Sequence, residues 1–178
     1  MSLLDWCRVG DGPLYESMVL DTMARTLKGI VDSELAAQQV PIEGGFCDIE
    51  LPICTEASHG HRLWYEWAQR YEIVSLLGEV KNMREKASFE DVNQLFAYLN
   101  GAKRGRCGLL VSRSGFTANA MSRMRSLVSD HHVLILGLDH GDLKSLLEFS
   151  KEDSQKVMTY LRRKENLLRR FNERPARR

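Results

Sequence analysis

A chain of 178 residues, 43% hydrophobic and 28% charged, is one domain's worth of protein, long enough to bury a core without disulfide or metal staples. Its longest apolar run, residues 133–138, falls far short of the roughly 18 residues that cross a membrane, and Met1-Ser-Leu-Leu-Asp-Trp is not the charged-then-apolar order expected of a signal peptide. With 25 Lys and Arg against 24 Asp and Glu, the formal net charge of +1 taken whole argues against a nucleic-acid binder.

Residues 13–36 read as a helix opened by Pro13, whose fixed φ suits a first turn. Leu14, Met18 and Leu27 follow a mostly 3.6-residue rhythm, and Glu16 lies near the start. A short strand at residues 40–42 breaks at Gly44-Gly45. Residues 46–53 then alternate, with Cys47, Ile49, Leu51 and Ile53 on one face and Phe46, Asp48, Glu50 and Pro52 on the other. The apolar set marks the core side, so Asp48 is expected to point away from it. Residues 54–70 predict a polar, aromatic loop and a short helix, and residues 72–81 are the strongest strand, an apolar run that ends in charge.

Ser88 as N-cap, Asp91 three positions on and Gly101 at the end delimit a helix over 88–101, with Phe89, Val92, Leu95, Phe96 and Leu99 as its buried stripe. Strands over 106–112 and 132–136 alternate with helices over 116–129 and 139–149, and a basic helix over 153–172 follows. The order predicts a mixed α/β domain over 1–150 with a basic helical extension over 151–178. Four cysteines without a Cys-x-x-Cys pair imply a reducing, cytoplasmic setting rather than a disulfide framework.

Local charge reverses the first impression. Residues 1–150 carry 15 basic and 20 acidic side chains, and residues 151–178 carry 10 and 4. Between Lys103 and Arg125 there are six basic residues and no carboxylate. Lys103, Arg104, Arg106 and Arg113 are therefore expected to track phosphates, while the basic tail grips DNA, joins a partner helix or is simply solvated.

The chemistry concentrates at Asp48 and Glu79-Val80-Lys81. Residues two apart in a strand share a face, so Glu79 and Lys81 project together from the end of the strongest strand. If the Asp48 strand pairs with it, two carboxylates and an ammonium converge. Hard oxygen ligands suit Mg²⁺, or Mn²⁺ in its place, and Mg²⁺ needs only one or two carboxylates. A Glu-x-Lys arises about once by chance in a chain of this length, and Asp142-Leu143-Lys144 is such a decoy, because residues two apart on a helix do not face each other. Gln94 and Tyr98, four apart, share a helical face offset from Val92, Leu95 and Leu99. Cys47, Cys54, His59 and His61 lack the tight paired spacing of a closed zinc site. Ser114-Gly115-Phe116 reads either as a turn with a helix cap or, with Arg113, as a phosphate contact.

Asp48 after a glycine turn, Glu79-Val80-Lys81 closing an apolar strand, and Gln94-Leu-Phe-Ala-Tyr98 on the next helix resemble the PD-(D/E)xK nuclease superfamily. Within it they resemble the Mrr-type and RecB-type branch, whose pattern continues with Gln-x-x-x-Tyr. Asn82 and the segment Gly108-Leu-Leu-Val-Ser-Arg-Ser-Gly-Phe-Thr117 add to the likeness to Mrr-type restriction endonucleases, which runs from about residue 13 to 149. The resemblance implies a restriction-endonuclease-like α/β fold with an α-β-β-β-α-β core, and Mg²⁺-dependent cleavage of DNA in restriction, anti-phage defence or repair. It implies Asp48 and Glu79 as metal ligands with Glu16, Lys81 as the residue that positions or activates water, and Gln94 and Tyr98 as support. With little room in 178 residues for a separate sequence-reading domain, specificity is expected to come from a fused or associated subunit, from a homodimer, or to be absent.

Two departures stand out. Cys47 occupies the position of the superfamily's proline, and Glu79 lies 31 positions after Asp48 with Trp64-Tyr65-Glu66-Trp67 inserted between. That insertion leaves the pairing of the two strands open and its aromatics free to serve core, partner or DNA. Alternative readings are a catalytically inactive nuclease-fold subunit that binds DNA or protein, and a Holliday-junction resolvase.

Overall fold

The computed structural model describes residues 7–54 and 62–170. Helix α1 (Gly12–Thr26) carries Pro13 in its first turn and buries Tyr15, Val19 and Met23. It stops ten residues before the expected end. Gly29 takes a left-handed φ of 79°, and Lys28 bridges Val31, so Leu27, Ile30 and Val31 are buried from a tight turn rather than from a further helical turn. Apolar spacing alone cannot distinguish those two arrangements.

Two antiparallel strands follow, β1 (Ala37–Ile42), longer than the predicted 40–42, and β2 (Gly45–Pro52). Then come α2 (Arg62–Arg70), β3 (Ser75–Lys81), α3 (Phe89–Ala102), β4 (Cys107–Ser112), α4 (Ala118–Asp130), β5 (Leu134–Asp139), α5 (His140–Glu152) and α6 (Ser154–Arg169). The five strands form one mixed sheet in the order β1-β2-β3-β4-β5. β2 pairs antiparallel with both β1 and β3, and β4 and β5 continue parallel to β3 through helical crossovers. Strands buried on both faces need continuous apolar runs, which β4 and β5 supply.

The pairing of β2 with β3 resolves the strand question. Ile49 faces Gly78, and Pro52 faces Ser75, with Cys47, Ile49 and Leu51 fully buried as the alternation predicts. Trp64 and Trp67 of α2 are also core residues, packed edge to face at 5.3 Å. Helices α3 and α4 pack together, and so do α1 and α5. A side chain on Gly108 would meet Leu95 and Leu99 of α3, which places α3 over the face bearing Leu77, Glu79 and Lys81.

Ser88 and Asp91 form the predicted capping box of α3. Phe89 departs from the expected stripe. It is exposed and sits under the Arg123 guanidinium, 5.8 Å from its ring, because the first residue of a helix lies beyond the sheet that Val92, Leu95 and Leu99 cover. Helix α6, which makes up most of the described residues beyond 150, packs on α5, α4, α2 and β5 and buries Val157, Met158, Leu161 and Leu168. No helix among the described residues is long and apolar enough to cross a membrane.

Gly78 lies directly opposite Ile49 in the β2–β3 pair. An ideal Cβ there would lie 2.5 Å from Ile49 Cγ1, so even a methyl group forces Ile49 out of place. Gly78→Ala is expected to cost about 1–3 kcal/mol, read as a lower urea midpoint with an unchanged slope.

Candidate active site at the end of β3

Paired residues of β2 and β3 end at Ile49 and Gly78. One step further, the Val80 backbone N–H donates to Asp48 Oδ2 at 2.7 Å. A carboxylate thus replaces a main-chain partner, which fixes Asp48 on the face shared with Glu79. Its other oxygen accepts a long bond from the Gln39 amide, 3.4 Å, and the same amide donates to Glu16 Oε2 at 2.9 Å. Gln39 reaches both because it interrupts β1 with a φ of 49°. Through it, α1 delivers Glu16 beside Asp48.

Glu79 is 3% exposed. Its Oε1 accepts from Lys81 Nζ at 2.8 Å, while its Oε2 is buried with no hydrogen-bond partner among the described residues. Lys81 also pairs with Asp91 Oδ1 at 3.3 Å, and the other oxygen of Asp91 accepts from the Ser88 N–H. The cap of α3 therefore anchors the ammonium as well as the helix.

Burial pushes the Glu79, Asp48 and Glu16 carboxyls above the ordinary carboxylate range. Lys81 pulls Glu79 back, and the neighbouring Asp48 charge pushes both Glu79 and Glu16 further up. For Lys81, burial opposes the charge, but the bonds to Glu79 and Asp91 outweigh it and raise its pKa. The ammonium stays protonated at neutral pH.

Gln94 Nε2 donates to the Tyr98 hydroxyl at 2.8 Å. That hydroxyl lies 3.3 Å from the position of a Cβ on Gly45, so the pair sits under the β1–β2 turn at the same end of the sheet. The predicted phosphate-tracking residues are not brought together. Lys103, Arg104 and Arg106 precede β4, six residues and about 20 Å along the strand from the end where Lys81 pairs with Ser112. Arg104 pairs with Glu50 at 3.0 Å, and Arg106 with Glu72 at 3.6 Å.

Arg113 is at the correct end but is engaged, donating to the Cys7 carbonyl and Asn82 Oδ1 with its guanidinium over the Tyr15 ring. Ser114 donates to the Met83 carbonyl, and Thr117 caps α4, so that segment is a turn with a cap. Arg162 and Arg169 of α6 likewise pair internally, with Glu66 and Glu165, and the arginines beyond 170 lie outside the described residues. Arg84 and Lys86, in the loop that follows Lys81, are exposed.

Sequence reading missed these two, along with Gln39 and the second role of Asp91. Arg84 and Lys86 carried a signal in their position directly after Glu79-Val80-Lys81, whereas a glutamine with positive φ carries none.

Among the described residues, no three His, Cys, Asp or Glu side chains are clustered as a ready-made metal site. Cys47 turns its thiol to the Gly78 carbonyl on the face opposite Asp48, and His59 and His61 lie outside the described residues. The donors present fit a hard, water-rich cation better, since Mg²⁺ requires only one or two carboxylates and Glu79 holds an oxygen with no other use. Comparison of the chain with models of protein families, with curated proteins and with solved structures gives no match.

A carboxyl whose pKa is raised by the fold costs stability once it ionises. The cost begins as pH rises past the unfolded value and is complete above the folded one. Asp48→Asn is therefore expected to raise Tm at pH 7–8 relative to the native chain, with the difference vanishing toward pH 4. Differential scanning calorimetry across that range reads it directly.

Proposed function

We propose that Asp48, Glu79 and Lys81 form the centre of a Mg²⁺-dependent deoxyribonuclease with a restriction-endonuclease-like fold. The observation that carries the proposal is the buried Oε2 of Glu79, without a hydrogen-bond partner among the described residues, beside Asp48 and within one side chain of a fixed ammonium. Support comes from the element order: a helix, three antiparallel strands, a helix and a strand parallel to the third, with α2 interposed before β3. The exposed Arg84 and Lys86, three and five residues after Lys81, suit a phosphate backbone.

Asp48 and Glu79 would hold the ion, with Glu16 joined to them through Gln39. When bound, Mg²⁺ or Mn²⁺ supplies a Lewis acid for a phosphoryl oxygen and lowers the pKa of water. Lys81 remains charged, so it serves as a hydrogen-bond donor to the negative oxygens that develop at phosphorus rather than as a base. Tyr98 and Gln94 offer a further donor at the rim.

A cation that binds only the folded chain stabilises it, by about 2.7 kcal/mol at a hundred times its Kd. Mg²⁺ is thus expected to raise Tm by several degrees for a chain of this size, and the response should be absent in Asp48→Asn despite that variant's higher starting Tm. The activity test is conversion of supercoiled plasmid DNA in Mg²⁺. The native chain should cleave, EDTA should stop it, and Asp48→Ala, Glu79→Ala and Lys81→Ala should be inactive. Equal cleavage by all four would refute the proposal.

A further inference from the structure

Phe46 is 59% exposed, on the same face of β2 as Asp48 and two residues from it, about 6.6 Å along the strand. A phenyl ring left in water at this point is not required by the hairpin. Its partner across β1 is Pro41, and β2 has already passed the last residue paired with β3. The hairpin tip also lies against α3, with the Tyr98 hydroxyl close beneath Gly45 and Glu43 beside Gly101. The hairpin tip that carries the ring is therefore backed by α3, close to the carboxylate site along β2, and the loop with Arg84 and Lys86 leaves β3 at the same end of the sheet.

We infer that Phe46 is a stacking platform for a nucleobase next to the cleaved phosphodiester, so that the favoured substrate is DNA with an unpaired base at the cut. This rests on the nuclease reading and narrows it. In a duplex the bases cover one another and present only their edges in the grooves. A ring face can be covered only by a base that has left the stack, which is cheapest in single-stranded or frayed DNA. Arg84 and Lys86, exposed in the loop after Lys81, favour a polyanion over an apolar peptide as the occupant, because their charges would meet phosphates.

The test compares the native chain with Phe46→Ala and Phe46→Trp on a single-stranded oligonucleotide and on the blunt duplex of the same sequence. Each carries 2-aminopurine, whose fluorescence is quenched on stacking. Binding is read in Ca²⁺ and cleavage in Mg²⁺.

Aromatic stacking is worth roughly 5- to 150-fold in affinity. Phe46→Ala should thus lose at least about fivefold in single-strand binding and cleavage, with its quench, at unchanged Tm. Phe46→Trp should retain all three, and duplex values should shift little. Equal behaviour of Phe46→Ala and the native chain on the single strand would overturn the inference while leaving the nuclease reading intact. Binding and quench that depend on Phe46 without any cleavage would support the platform and refute the nuclease. Absence of DNA binding by the native chain would refute both.

Discussion

Lys81→Met is expected to lower the rate of plasmid cleavage by at least about a hundredfold, the scale on which removal of one aimed donor slows hydrolysis. Methionine keeps the apolar stem and removes only the ammonium. What is lost is a charge held by Glu79 at 2.8 Å and Asp91 at 3.3 Å, not a piece of core, since the Lys81 side chain is 21% exposed. On the proposed nuclease reading the loss should fall on kcat with little change in KM, because the donor would act on charge that appears at phosphorus only during reaction. Lys81→Arg should not restore the rate, as a planar fork cannot occupy the position of a compact ammonium between two carboxylates. Asp91→Asn offers a graded control. It keeps an oxygen for the cap of α3 but weakens the hold on Lys81, so kcat should fall by less than in Lys81→Met. Steady-state cleavage kinetics of the three variants separate these outcomes.

Glu165→Ala is expected to destabilise the fold by about 2–4 kcal/mol, somewhat less than the loss for a fully buried pair because its arginine partners keep access to water. Glu165 is 1% exposed, and its Oε1 accepts from the Tyr71 hydroxyl at 2.7 Å, Arg169 Nε at 2.8 Å and Arg70 at 3.2 Å. Tyr71 is itself 1% exposed, and its hydroxyl also accepts from Arg169 Nη2 at 2.6 Å. The cluster fastens α6 to the segment between α2 and β3.

Burial alone would raise the Glu165 pKa, but the bonds from Tyr71 and Arg169 outweigh it and hold the carboxyl below its ordinary value. Its contribution is fully present above the unfolded carboxylate pKa and is lost as pH falls through the lower folded one. The sign is opposite to that of Asp48 and Glu79. Acid titration of stability should therefore be steeper in the native chain than in Glu165→Gln, as measured by urea midpoints between pH 3 and 7.

Both effects come from polar clusters, and the sequence exposed them unequally. The Asp48 strand declared its face through the alternation of Cys47, Ile49 and Leu51, and Ser88 with Asp91 marked the start of α3, but the pairing that brings Asp48 to Glu79 and Lys81 stayed open across the inserted aromatics until Ile49 was seen opposite Gly78. The end of α1 was not, because Leu27, Ile30 and Val31 keep an apolar rhythm while Gly29 turns the chain. The basic run from Lys103 misled for a different reason. A strand of six residues separates Arg106 from Arg113, so neighbours in charge lie at opposite ends of the sheet. Glu165 left no mark at all. A single carboxylate in a basic helix is buried only because Tyr71 and Arg70, about 95 residues earlier, come to meet it.

The central claim is that the unpartnered oxygen of Glu79 and the carboxylate of Asp48 hold one divalent cation next to Lys81. Anomalous diffraction from crystals of the native chain soaked in Mn²⁺ measures this most directly. The account predicts a strong peak between Asp48 and Glu79, at bonding distance from both and lost in Glu79→Gln crystals; no peak there at saturating Mn²⁺, or one equally strong in the variant, would contradict it.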